Sequence, residues 1–405
     1  MNIVTETSDV CKYLFNLCET VEKLSSKQFK HLNEFVQSVI CNDGKRTVSN
    51  MTRNIYDSVD RSNMCRFLSE SPWDSDTINQ NRINQLNHLI ELEQQKSKEP
   101  IFEIFDDTMI SKSNHSKHIE GMGKLFSHVT GKYEWSHCLL GHHAIVGKLS
   151  VPMNMTHYLR EEYCLENSLP FKSKIDSVIE QLKLLKVTEG VQRYLLLDKW
   201  FSSVKLLYAA LKEGLHVLVP LKSNRIIYPH GISTKIRDYA NSLDKLSLDS
   251  VTVKEQLFHV HRYEGNLKNF ENAVVLISYE YKNGEFREPM FILSTDISLG
   301  NREIIEYYLK RWTIEVSFQY QKDKLGLDHY QIRSLNAIKR FWLIVQLALT
   351  YLSIQNYHSH NTIIGDMIRI EKIKATESEI YKIISLYEMG IPISDICNKF
   401  TKKAA

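Results

Sequence analysis

Four side chains in the stretch YYLKRWTIEVSFQYQKDKLGL (residues 307–327) could act together on a phosphodiester: Tyr308, Arg311, Glu315 and Lys322. At about 100° per residue, one helix would hold all four within a stripe about 60° wide. An acid between a phenol and two cations is commonly a salt bridge, but two further acids widen the reading. IFEIF runs into Asp106-Asp107-Thr108, and RYLLL runs into Asp198. Acids at the ends of buried strands point at one sheet edge, where ligands of open α/β sheets sit. They are costly there without a cation. Three such carboxylates make a hard-oxygen site for Mg2+ or Mn2+. Two ions in it would clamp an in-line phosphoryl displacement, with Tyr308, Arg311 and Lys322 on the phosphates.

The elements that must position these groups follow from periodicity. Residues 1–95 read as helical, with apolar residues at helical spacing in YLFNLCETVEKL and FKHLNEFVQSVI. Two short helices near 47–56 and 61–69 have the size of a helix–turn–helix unit. Arg61, Asn63 and Arg66 stand near the start of the second, placed to meet a DNA groove; a small helical bundle is the plain alternative. From residue 101, strands lead: IFEIF, then CLLGHHAIVG and KLSVPM as a meander. A helix follows in PFKSKIDSVIEQLKLLKV, then strand RYLLLD, helix SSVKLLYAALKEG with its Gly stop, and strand LHVLVPL. That order predicts an α/β fold with a mixed sheet. Residues 222–298 carry short β-like runs and the turn YKNGEF, read as a β-rich insertion. Lys222 and Arg225 stand where the core hands over to it and could hold a DNA end. Beyond residue 323 the chain reads as helical, ending in two helices about Gly390. The expected division is 1–95, 96–221, 222–298, 299–355 and 356–405.

Composition bounds the partners. The chain has 405 residues, 43% hydrophobic and 24% charged, with net charge +3. These are values of an ordinary soluble protein, and bulk charge gives no argument for nucleic acid. The seven cysteines (Cys11, Cys18, Cys41, Cys65, Cys138, Cys164, Cys397) form no C-x-x-C pair, which argues for a reducing cytosol and against a zinc ribbon or a disulfide framework. No signal-peptide layout opens the chain. FWLIVQLALTYLSI (341–354), broken by Gln346 and Thr350, reads as a buried helix, with no membrane partner expected. His115, His118, His128, His137, His142 and His143 crowd one region without zinc-finger spacing; Lys117 and His118 are the pair there that could touch DNA.

The spacing Y-x-x-R-x-x-x-E-x-x-x-x-x-x-K resembles the YREK signature of bacterial insertion-sequence DDE transposases of the cut-and-paste type. IFDDT, LLLDKWFSS, LGLDHYQIRS and RFLSESPWD are similar to that family's text too, over residues 30–355. The resemblance implies a ribonuclease-H-like core with Glu315 as third acid and Asp198 as second. Asp107, directly before Thr108, is the expected first acid and Asp106 the second choice, since the two side chains point to opposite faces. It implies Mg2+ or Mn2+, as two ions, and double-stranded DNA, both transposon ends and target. It also implies a homodimer in a synaptic complex, in the cytoplasm with the nucleoid. Water would free a 3′-OH at the transposon end, and that hydroxyl would attack a second phosphodiester, commonly through a hairpin. Relatives stack a flipped base on an aromatic of the insertion. This insertion has no Trp and offers Tyr228, Tyr263, Tyr279 and Phe286 instead, while Trp200 is expected in the core beside the site. The alternatives are a ribonuclease-H-like nuclease without strand transfer and an inactive DNA-binding relic.

Overall fold

The computed structural model describes residues 8–19, 21, 24–56, 60–113, 116, 118–127, 130–186, 188–359 and 362–401. His115, Lys117 and His128 lie outside the described residues. The N-terminal region folds as α1 (Asp9–Cys18), α2 (Ser26–Cys41), α3 (Val48–Arg53), α4 (Arg61–Ser69) and α5 (Ser75–Ser97). Each start is capped by a Ser, Thr or Asp side chain; Ser25 and Gln28 of α2 complete a capping box, and Asp60 caps α4.

The strands then run β1 (Ile101–Ser111), β2 (Gly123–Ser127), β3 (Lys132–Val146) and β4 (Leu149–Tyr158). Helices α6 (Glu161–Glu166) and α7 (Lys174–Leu182) lead to β5 (Arg193–Leu197), and α8 (Val204–Lys212) leads to β6 (His216–Pro220). Every residue of β5 is buried, as a strand covered on both faces requires. β1, β5 and β6 are parallel, and β3 and β4 add antiparallel on the other side of β1. The order β4-β3-β1-β5-β6, with helices on both faces, is the ribonuclease-H-like arrangement that the resemblance implies.

The insertion supplies β7 (Ile226–Ile227), β8 (Thr234–Lys235), α9 (Ile236–Asn241), β9 (Asp249–Val253), β10 (Gln256–Leu267), β11 (Phe270–Lys282), β12 (Glu285–Phe286) and β13 (Met290–Ser294). YKNGEF makes the β11–β12 turn, with Asn283 and Gly284 both at positive φ, as a type I′ hairpin demands. The insertion is not a separate sheet: β13 pairs with β6 and then with β11, so one sheet of 13 strands runs through both.

The chain ends in α10 (Asn301–Leu309), α11 (Trp312–Gln319), α12 (Leu335–His358), α13 (Ile364–Glu388) and α14 (Ile393–Thr401), with Gly390 at φ +81° between the last two. Among the described residues α12 is the one helix long and apolar enough to cross a membrane; 89% of that apolar window is buried inside the protein. It packs against the N-terminal helices, β3 and β4 in one hydrophobic cluster. Two buried arginines lock this cluster through carbonyls. Arg82 of α5 donates to Pro152 (2.9 Å), Met153 (2.7 Å) and the Thr350 hydroxyl (3.0 Å). Arg340 of α12 donates to Leu68 and Trp73.

The other two clusters define the faces of the central sheet. Phe102 and Ile104 of β1 pack with Tyr194 and Leu196 of β5 under Ile304, Ile305, Ile314 and Phe318 of α10 and α11. Phe105, Leu195 and Leu197 pack with Val178, Leu182, Leu206 and Leu207 of α7 and α8 on the opposite face. The approach of α11 is set by Gly141, the β3 partner of Asp106. A Cβ there would stand 2.6 Å from the Phe318 ring and 3.6 Å from Ile314. Gly141→Ala is therefore expected to lift α11 and cost about 1–3 kcal/mol in urea unfolding. Combining it with Phe318→Ala should cost less than the sum of the two changes; strict additivity would show that this contact does not set the spacing.

Candidate active site

Alternation along β1 separates its two acids. Asp106 follows the face of Phe102 and Ile104, and Asp107 follows the face of Phe105. On the α11 face, Arg311 Nη1 donates to Asp106 Oδ2 (3.0 Å) and Nη2 to Glu315 Oε1 (2.5 Å). Asp198 stands one residue past β5, on the face of Tyr194 and Leu196, and its Oδ2 accepts from the Trp200 amide at 3.4 Å. Asp107 points the other way. Its Oδ2 takes Lys174 Nζ (2.8 Å) and the Cys138 thiol (3.3 Å) beneath α7. The structure thus joins Glu315 to Asp106 and not to Asp107. The expected first acid, Asp107, thus lies on the α7 side with Lys174, and the second choice, Asp106, lies on the α11 side with Glu315.

Burial dominates the electrostatics here. It pushes the Asp106 carboxyl up to about 7, against the downward pull of Arg311 and the Asp107 amide; the neighbouring Asp107 and Asp198 charges add to the rise. Tyr308 is buried under the Arg311 guanidinium, 5.9 Å from ring centroid to Cζ. Burial raises its phenol to about 12, with Asp198 and Asp106 in electrostatic range. Arg311 is held above its ordinary value: burial works against its charge, but Tyr308, Glu315 and Asp106 outweigh it.

The expected single stripe is built from three pieces. Tyr308 closes α10, and Arg311 sits in a tightened junction where amides reach carbonyls three residues back. Glu315 lies in α11, and Lys322 lies in a π-helical turn over Tyr320–Lys324. A uniform 100° step fails because the chain tightens and then widens; such π turns concentrate at functional sites. Lys322 Nζ donates to the Met109 carbonyl of β1 (2.9 Å), and burial lowers its pKa.

The remaining candidates stand on other segments. Lys222 is exposed just past β6, while Arg225 is tied to the Ser202 carbonyl in the loop after Asp198. Arg61 is exposed and donates to Ser49 Oγ (3.3 Å), and Arg66 donates to Asn63 (2.5 Å), all on α3–α4 and away from the carboxylates. Trp200 is not in the core: it is 50% exposed, edge-on to Phe201 and 5.3 Å from Lys174 Nζ. In the insertion Tyr279 is buried and bonded to the Ala240 carbonyl, and Tyr263 to that of Asn266, whereas Tyr228 is partly exposed. Three of the histidines are structural. His137 bonds the Tyr330 hydroxyl and the Glu120 carbonyl, His142 bonds Glu103, and His143 bonds Ser150. Two residues that sequence reasoning passed over are Lys174 and Gly141; nothing in their local spacing marks them.

The family model for DDE superfamily endonucleases matches residues 20–241, more than half of the chain, and spans both Asp106 and Asp198. The chain belongs to the DDE endonuclease superfamily. A transposase DDE domain matches residues 172–351, which hold Asp198 and Glu315. A search of curated proteins found no match. A DDE endonuclease cleaves nucleic acid and takes DNA as substrate, and the family generally uses divalent metal ions.

The donors suit that chemistry: Asp106, Asp198 and Glu315 offer oxygen alone, which selects a hard cation. A dication would also offset the burial and the neighbouring negative charges that raise Asp106. The Arg311 guanidinium already bridges two of the three acids, Asp106 and Glu315. Among the described residues no three His, Cys, Asp or Glu side chains are gathered as a ready metal cluster. The raised Asp106 fixes a pH dependence. Folded Asp106 keeps its proton up to about 7, while the unfolded value is near 3.8. The folded state binds the extra proton between those values, so stability falls as pH rises through that window. In EDTA, unfolding free energy should drop by a few kcal/mol at most from about pH 4 to 7. Asp106→Asn should flatten that fall; an equal slope in the variant would assign it elsewhere.

Proposed function

We propose that this DDE endonuclease is a cut-and-paste transposase whose acid set is Asp106, Asp198 and Glu315. The observation that carries the reading is the Arg311 bridge between Asp106 and Glu315 on the sheet face that Asp198 also meets. These three side chains would hold Mg2+ or Mn2+, as two ions, which supply charge neutralisation and Lewis acidity at the phosphodiester. The chain's own part is positional. Buried β1 and β5 fix the two aspartates, and α11, set down on Gly141, fixes Glu315. Arg311, released from the carboxylates, is free to turn to a phosphate oxygen in a bidentate contact. Lys322 stands farther along β1, and Tyr308 stacks behind Arg311 and limits where it can go.

The substrate is the terminal inverted repeat of the element as duplex DNA, and the same site runs hydrolysis and strand transfer because both are in-line displacements at phosphorus. A homodimer that brings two ends together, cytoplasmic and nucleoid-associated, completes this reading. Arg61, Asn63 and Arg66 would contact repeat DNA, with Lys222 and Arg225 near the cut end.

Purified protein with a labelled repeat duplex and Mg2+ or Mn2+ tests it. Wild type should nick at the repeat end and yield joined or hairpin product. Glu315→Gln and Asp106→Asn should lose more than about 100-fold, beyond what changing a group that merely bonds to a metal ligand usually costs. Asp107→Asn should stay within about tenfold. The reverse ranking of the two aspartates would return the first-acid role to Asp107, and nicking without joining would favour a simple nuclease.

A further inference from the structure

β1 does not stop at the carboxylates. From Asp106 it continues past Met109, whose carbonyl holds Lys322, to Lys112. At about 3.4 Å per residue, Lys112 lies about 20 Å beyond Asp106. A polar cavity of about 620 Å3 opens there. Lys45, from the turn between α2 and α3, lines it, with Lys112, Ser116 and His118 after β1 and Asp328, His329, Tyr330, Gln331 and Arg333 after the π turn. Lys45, His118 and Arg333 are exposed. Asp328 is the one acid on this wall, and it faces the His329 ring at 3.8 Å.

The wall is rigidly built. Lys112 Nζ donates to the Tyr330 carbonyl (2.8 Å) and to that of Asp328, and lies 3.7 Å from the Tyr330 ring centroid. Its ammonium is thus met by carbonyls and a ring, and burial lowers its pKa to about 8. The Arg46 amide donates to His329 Nδ1 (3.0 Å), which joins the N-terminal region to the same segment. Gln331 lines this cavity and also a smaller one beside it, formed with Ser49, Arg61 and Cys65 of α3 and α4. Lys322 and Lys112 against β1, Lys45 and Arg333 at this cavity and Arg61 at the next thus mark a rim from the carboxylates to the start of α4. A duplex advances about 3.4 Å per base pair, so a helix laid on this rim would reach the cavity about six base pairs from the acids.

We propose that this cavity is a backbone-phosphate site for duplex DNA, with Lys45, His118 and Arg333 making the contacts over the fixed Lys112 wall. It rests on the reading of the acids as the cutting site only for the direction in which the duplex runs. The contacts are to phosphate and carry no sequence preference.

The test is fluorescence anisotropy of the full chain, in EDTA, with a fluorescein-labelled duplex of mixed sequence at about 50 to 200 mM salt. Each cation on a phosphate adds about 0.9 to the slope of log affinity against log salt. Lys45→Ala/Arg333→Ala should lower that slope by about two and weaken binding most at low salt, with its urea midpoint unchanged. Lys324→Ala, an exposed lysine outside the cavity, should leave the slope alone. An unchanged slope in the double variant overturns the proposal, as does wild type that binds no duplex. Wild type that binds with the expected slope loss in the double variant, yet never nicks DNA, would uphold this site while removing the cutting role of the acids.

Discussion

The structure turns on carboxylates held in a place that discourages their charge. Asp106 is largely buried, close to Asp107 and Asp198, and its proton is correspondingly reluctant to leave. Arg311 resolves part of this conflict by bridging Asp106 and Glu315. A guanidinium is suited to that duty because its planar fork reaches two acids at once and it does not give up its proton. Arg311 thereby fixes the distance of α11 from β1 electrostatically, while Gly141 fixes it sterically.

The two faces of β1 divide the labour. The α11 side gathers Asp106, Asp198, Glu315 and Arg311, while the α7 side sequesters Asp107 with Lys174 and a buried thiol. Pairing Asp107 with Lys174 keeps a second charge in balance next door, so the neighbouring acid is spared a larger repulsion. Farther from the chemistry, buried arginines hold the N-terminal helices to α12 and β4 by donating to carbonyls rather than to acids. That choice brings orientation without placing further negative charge near the site.

Much of this was legible in the sequence, for identifiable reasons. Short apolar runs ending in Asp announced β1 and β5, and the helical spacing around Glu315 placed the third acid on a helix that meets them. Which of Asp106 and Asp107 faces that helix was not legible. Alternation says only that they differ, and the deciding partners, Arg311 and Lys174, lie 205 and 67 residues away. The straight stripe failed because helical tightening at Arg311 and the π turn at Lys322 depend on packing against β1, not on local propensity. Trp200 was expected inside and is half outside; the short 3-10 turn that follows Asp198 swings it past the edge of the sheet. The β-rich insertion was visible as alternation, but its pairing with β6 joins strands far apart in the chain, and no local pattern encodes that.

That pairing has a consequence for how the protein can be taken apart. β6 finds its outer neighbour in β13, the last strand of the insertion. A shortened catalytic domain lacking the insertion would leave β6 with a row of unanswered amides and carbonyls, an apolar strand open to any passing chain. The insertion is thus also the hem of the sheet, and trimming it would trade a DNA-cutting enzyme for a self-associating one.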